Sequence, residues 1–105
     1  MPARHLFNSS GKWIAFSVGK HLFSTKGTWV GWFPWDDDEA VDKQGNYLGH
    51  IVQNRLLKRL NRRFRGYPGY PGYPGYPGYP GYPGYAGYFR MPLGYTDVDE
   101  GRISA

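Results

Sequence analysis

Cysteine is absent from this 105-residue chain, which excludes disulfide staples and thiolate zinc sites and leaves a small core to packing or self-association. No apolar run approaches the ~18 residues of a membrane-spanning helix. The opening Met-Pro-Ala-Arg-His has none of the apolar stretch of a secretory signal. Pro2 stands where myristoylation needs Gly, and no thiol is present for other lipid anchors. A cytoplasmic protein, peripheral at most to the inner face of a membrane, is the expectation. Ordinary sequence is also scarce. Residues 66–88 are a Gly-Tyr-Pro repeat holding half of the 16 Gly and eight of the 10 Tyr. The 65 residues before it lie near the lower limit for independent folding, which excludes a large enzyme core, a dinucleotide domain or a TIM barrel.

Acidic residues number 8 against 13 Lys and Arg, a formal charge of +5. The excess is local: Arg55, Lys58, Arg59, Arg62, Arg63 and Arg65 fall within one short stretch. Such a patch attracts phosphate groups on lipid or nucleic acid.

The first half repeats itself. His5-Leu6-Phe7, a polar turn ending in Gly11, and Trp13-Ile14-Ala15-Phe16 recur as His21-Leu22-Phe23, Gly27 and Trp29-Val30-Gly31-Trp32. A weaker copy reads Glu39-Ala40-Val41, Gly45 and Tyr47-Leu48-Gly49-His50. Each unit predicts a short β-hairpin: Gly takes the positive φ that closes the turn, and aromatic or β-branched residues follow it. The recurrent glycines argue against helix through residue 50. Gly11, Trp13, Gly27, Trp29, Gly45 and Tyr47 define the repeat. A large ring beside a small residue suggests rings packed over neighbouring backbone around an axis.

These units resemble those of the small bacterial proteins called 4-fold β-flower, over about residues 3–53. The resemblance implies a mainly β fold of short hairpins arranged radially about a pseudo-fourfold axis. It carries no catalytic residue to transfer, and the family's biochemical role is not established. Three petals are clear. A fourth could come from Phe89 to Tyr95, where Leu93-Gly94-Tyr95 echoes Leu48-Gly49-His50, could come from another chain, or could be missing.

Residues 54–65 lack Gly and Pro, and Leu56, Leu57, Leu60 and Phe64 form a narrow stripe among the basic residues. This spacing predicts a basic amphipathic helix, a common membrane-surface design. Of the three rings in Trp32-Phe33-Pro34-Trp35, two are expected to complete the core and one to be exposed for stacking on a base or insertion at a lipid interface, with Trp32 and Trp35 the candidates. The acidic runs at 36–39 and 97–100 lack EF-hand spacing. The three histidines would need broken symmetry to share a metal, and no nucleophile–base pair or phosphate loop is visible. In the Gly-Tyr-Pro repeat each Pro-Gly step favours a type II turn, and Tyr stands where collagen would have Pro.

The expected organisation is a hairpin-repeat domain over 1–53, a basic helix over 54–65, a repeat linker over 66–88, and a C-terminal tail over 89–105 that docks on the domain. The expected function is non-enzymatic binding or assembly at an anionic membrane surface, with no cofactor, metal or small-molecule substrate. Nucleic-acid binding and pure self-assembly are the alternatives, and a homo-oligomer is the expected state.

Overall fold

The structure is a computed structural model describing residues 3–104; Met1, Pro2 and Ala105, the ends of the first and last expected segments, lie outside them. Eight strands follow in chain order as a meander: β1 (Arg4–Phe7), β2 (Trp13–Val18), β3 (His21–Ser24), β4 (Trp29–Trp32), β5 (Glu39–Asp42), β6 (Tyr47–Val52), β7 (Arg55–Arg59) and β8 (Tyr95–Asp97). Consecutive strands pair antiparallel. β1 also meets β7 in parallel at Phe7 and Arg55, which closes β1 to β7 into a seven-stranded barrel. Closure is reinforced where the Phe7 amide donates to the Asn54 carbonyl at 3.0 Å.

The hairpins form where the repeat places them. Gly11, Gly27 and Gly45 have φ of 93°, 83° and 90° and close the turns of β1–β2, β3–β4 and β5–β6. In each hairpin the pairing skips one residue. Leu6 faces Ala15 and Phe7 faces Trp13; Leu22 faces Gly31 and Phe23 faces Trp29; Ala40 faces Gly49 and Val41 faces Tyr47. Ile14, Val30 and Leu48 are thus bulge residues, and all three point into the barrel with Leu6, Leu22 and Ala40. The small residue two places after each ring has a steric cause. A Cβ on Gly31 would collide with the Val41 carbonyl, and one on Gly49 would lie 2.7 Å from the Leu57 carbonyl.

The fourth petal is β7 with β8, strands separated by residues 60–94. Asp97 faces Leu57 as Trp13 faces Phe7. Val98 then falls at the position of Ile14, Val30 and Leu48 and joins the same interior cluster. Leu93, part of the echo that suggested a petal at 89–95, is fully exposed.

The basic helix expected over 54–65 does not form. Leu56 and Leu57 are both fully buried, on opposite faces of β7, whereas Leu60 and Phe64 are each 62% exposed. A helical stripe would have buried all four. Leu56 follows Ala40 at the repeat interval, and Gln53 at φ 58° turns the chain back beside β6. In this place β7 pairs over three residues with β6 and over three with β8, and bridges β1 at Phe7, backbone hydrogen bonding that a marginal isolated helix of this length cannot match.

The barrel has a second apolar layer outside the first. Phe7, Trp13, Phe16, Phe23 and Trp29 point outward and form their own cluster, with Phe16 and Phe23 stacked at 5.4 Å. Residues 60–94 run around this outer face as a belt. The belt glycines from Gly66 to Gly87 all have φ between 82° and 89°, which glycine adopts without strain, but residues 62–92 contain no turn or bend, so the type II turns expected at the Pro-Gly steps do not form.

Leu56→Ala should lower unfolding free energy by about 2–5 kcal/mol, as for other buried leucines. Leu60→Ala should change it by no more than about 0.5 kcal/mol. Urea denaturation of both variants measures this; equal losses would instead match a docked helix.

Candidate binding surface

Each of the first three petals presents one ring at its outer face, Trp13, Trp29 and Tyr47, whereas the fourth has Asp97 there. Trp29 donates its indole Nε1–H to the Gly31 carbonyl at 2.7 Å, and Trp13 does the same to Ala15 at 2.7 Å. The polar edge of each indole is thereby satisfied within its own strand, and its face is left for packing. Tyr70 and Tyr73 meet Trp29 at 5.5 and 5.8 Å, with ring planes inclined 61° and 62°. Tyr79 and Tyr82 meet Trp13 at 6.0 and 5.9 Å, inclined 61° and 56°. His21 and His5 stand against the same two indoles. A cavity of about 320 Å³ opens beside Trp29, lined by Lys26, Thr28, Lys43, Tyr70, Tyr73 and Tyr76. Lys43 Nζ lies 5.6 Å from the Trp29 ring centre, within cation–π range.

The third petal replaces these indoles with a polar network that sequence reading missed. Glu39 is 3% exposed, yet its carboxylate is matched: Arg62 donates through Nε at 2.8 Å and through Nη2. His50 Nε2 lies 3.3 Å from Glu39 Oε1. The Tyr47 hydroxyl accepts from the Arg59 amide at 2.8 Å and contacts His50 Nδ1. These contacts fit one direction of donation: Arg59 N–H to Tyr47 O–H, Tyr47 O–H to Nδ1, and Nε2–H to Glu39, with a neutral imidazole. Burial lowers the His50 pKa, and the nearby Glu39 charge opposes that without reversing it. Burial also pushes Tyr47 up to about 12. The signal in the chain was the broken repeat: Glu39 for His5 and His21, Tyr47 for tryptophan, His50 for Phe16 and Trp32.

The expected basic residues do not form one face. Arg55 is buried, at 5% exposure, donating to the carbonyls of Asn8 at 3.0 Å, Gly87 at 2.8 Å and Ala86 at 3.2 Å. Its guanidinium also lies over Phe7 and Phe89. Arg62 is held by Glu39, and Arg65 by Asp37 at 2.6 Å. Lys58, Arg59 and Arg63 are exposed. Trp32 is buried, with an indole N–H lacking a hydrogen-bond partner, and Trp35 lies beneath Arg62 and Arg65. Of the repeat-defining residues, Trp13, Trp29 and Tyr47 mark the three outer sites, and Gly11, Gly27 and Gly45 approach the belt at Gly87, Tyr76 and Tyr67. The histidines serve three different petals, and no cluster of three metal-ligating side chains occurs among the described residues. No helix among those residues is long and apolar enough to cross a membrane.

A family model described as 4-fold beta flower protein matches residues 2–92, which takes in seven of the eight strands and most of the belt. No curated protein and no solved structure matches the chain.

The histidines set a pH dependence. Burial lowers the folded pKa of both His21 and His50 below the ordinary 6.5. Between the folded and ordinary values the unfolded chain binds more protons, so stability is full above 6.5 and is lost as pH falls through the folded values. Unfolding free energy measured from pH 7.5 down to about 5 should therefore decline. His50→Gln should reduce the slope, and His21→Gln with it should reduce it further.

Proposed function

The chain belongs to the 4-fold beta flower protein family, and on that premise we propose that it is a non-enzymatic binding module acting at anionic membrane surfaces. The contact surface is the root of the belt rather than a helix. There the outgoing and returning arms meet, the Leu60 amide donating to the Gly94 carbonyl at 2.7 Å. The observation that carries this reading is Leu93, 100% exposed, on the arm that meets the 62% exposed Leu60. Lys58, Arg59 and Arg63 flank Leu60 in the chain, all exposed and free of ion pairs among the described residues. Phe64, equally exposed, extends the apolar part.

Exposed leucines beside cations suit an interface where headgroups attract the charge and acyl chains accept the apolar groups. Trp32 and Trp35, the rings first considered for insertion, are occupied within the fold, and Leu60, Phe64 and Leu93 take that part. Each Lys or Arg near such a surface contributes about 1 kcal/mol, so three amount to roughly a hundredfold in affinity.

Cosedimentation with phosphatidylserine-containing vesicles should fall roughly a hundredfold in Lys58→Ala/Arg59→Ala/Arg63→Ala and weaken with salt. Leu60→Ser/Leu93→Ser should weaken it with little change in salt dependence. Equal binding to purely phosphatidylcholine vesicles would overturn the reading. Salt-steep binding to RNA or DNA that ignores the two leucines would favour the nucleic-acid alternative.

A further inference from the structure

The belt meets the barrel in a periodic way. Tyr70 and Tyr73 sit on Trp29, and Tyr76 lies against Gly27 in the turn of the same petal. Nine residues after Tyr70 and Tyr73, Tyr79 and Tyr82 sit on Trp13; at the Gly11 turn the spacing differs, the contact coming from the backbone of Gly87. Nine residues earlier than Tyr76, Tyr67 lies against Gly45. Three Gly-Tyr-Pro triplets therefore separate corresponding contacts on petals 3 and 2, and on petals 2 and 1. Two grooves of independent sequence position make the same selection, a tyrosine at one position and another three residues on, with near-identical ring distances and inclinations.

We infer that the Trp29 groove is a recognition site for an extended Tyr-Pro-Gly-Tyr segment, and that the belt of a second copy is its occupant in trans. The cis belt shows the chemistry of the ligand. Pro fixes φ and Gly takes its positive φ without strain, giving an extended, turn-free segment of low conformational freedom, and tyrosine edges meet the indole face, the mode by which aromatic grooves take proline-rich peptides. Residues 66–83 are six identical triplets, so any copy offers the same segment in several equivalent registers. The belt is also unevenly attached. Its polar ties to the barrel lie toward its two ends: Arg62 to Glu39 and Arg65 to Asp37 at the start, then Gly81 to His5, Ala86 to Gly11, Phe89 to Ser9, and Arg55 to Ala86 and Gly87. The stretch over petal 2 rests on Tyr70, Tyr73 and Tyr76, rings between 63% and 69% exposed. That stretch can lift between its two anchored ends and reseat on a partner's Trp29. Mutual exchange gives a closed twofold pair. This does not rest on the membrane reading, since the root of the belt is a different surface.

The test uses the full chain and a fluorescent synthetic peptide of six Gly-Tyr-Pro triplets. Tyr70→Ser/Tyr73→Ser removes two exposed rings of the cis competitor and should bind the peptide about tenfold more tightly than the unaltered chain. Among the four indole N–H resonances, that of Trp29 should shift on titration while that of buried Trp32 stays in place. A peptide of Gly-Ser-Pro triplets should not bind. No gain in the double variant, equal binding of the serine peptide, or an unmoved Trp29 resonance would each overturn the groove. For the second copy, sedimentation equilibrium of the unaltered chain should show a dimer growing with concentration and dissolving under excess peptide. A monomer at every concentration, or a dimer indifferent to peptide, would overturn that part.

Discussion

Covering both faces of a very small closed sheet is the constraint on which this structure depends. Closing seven short strands into a barrel removes the exposed edges but leaves an outer face as apolar as the inner one. The inner face is filled by Leu6, Ile14, Leu22, Val30, Leu48, Leu56 and Val98. The outer face carries Phe7, Trp13, Phe16, Phe23 and Trp29, a patch that a soluble monomer would not ordinarily leave open. The belt covers it with a second ring of aromatics, so the chain has two thin apolar layers in place of one thick core. This answers the shortage of core implied by its length. It also moves the exposed surface outward, to eight tyrosines between 59% and 79% exposed.

Departures from fourfold symmetry follow from the same covering. The belt needs polar anchors where it leaves and rejoins the barrel, and the repeat changes at those places. Arg55, at the position of His5 and His21, reaches belt carbonyls at Ala86 and Gly87. Glu39, at that position in the third petal, takes Arg62 from the outgoing arm. Asp97, in place of a ring, accepts from the Ser9 amide at 2.8 Å and the Ser9 hydroxyl at 2.7 Å, tying β8 to the first turn. Buried charges occur here in pairs or with several carbonyl partners, as their desolvation demands. The same substitutions create the Tyr47–His50–Glu39 network.

Three hairpins and the alternation of ring and small residue were legible because their causes are local. A turn glycine, the strand propensity of the residues after it and the bulge spacing lie within a dozen residues of one another. The family resemblance rested on those motifs and holds. The fourth petal was not legible: its two strands are separated by residues 60–94, and Asp97 lacks the ring that marks the other three. The stretch from Leu56 to Phe64 satisfied a helical stripe as well as a strand, and its own spacing does not distinguish them. The basic cluster was legible as charge but not as a surface. Arg55, Arg62 and Arg65 have partners in Asn8, Glu39 and Asp37, contacts that only a folded chain brings together.

Taken alone, the chain of residues specifies the hairpin as a unit and the number of clear petals. Each depends on backbone preferences acting over a few positions. Tertiary structure decided what closes the barrel, where the fourth petal lies, and which cations remain free. Those outcomes depend on hydrogen-bond ladders and buried ion pairs between residues distant in sequence, whose strength exceeds the local preference of β7 for helix.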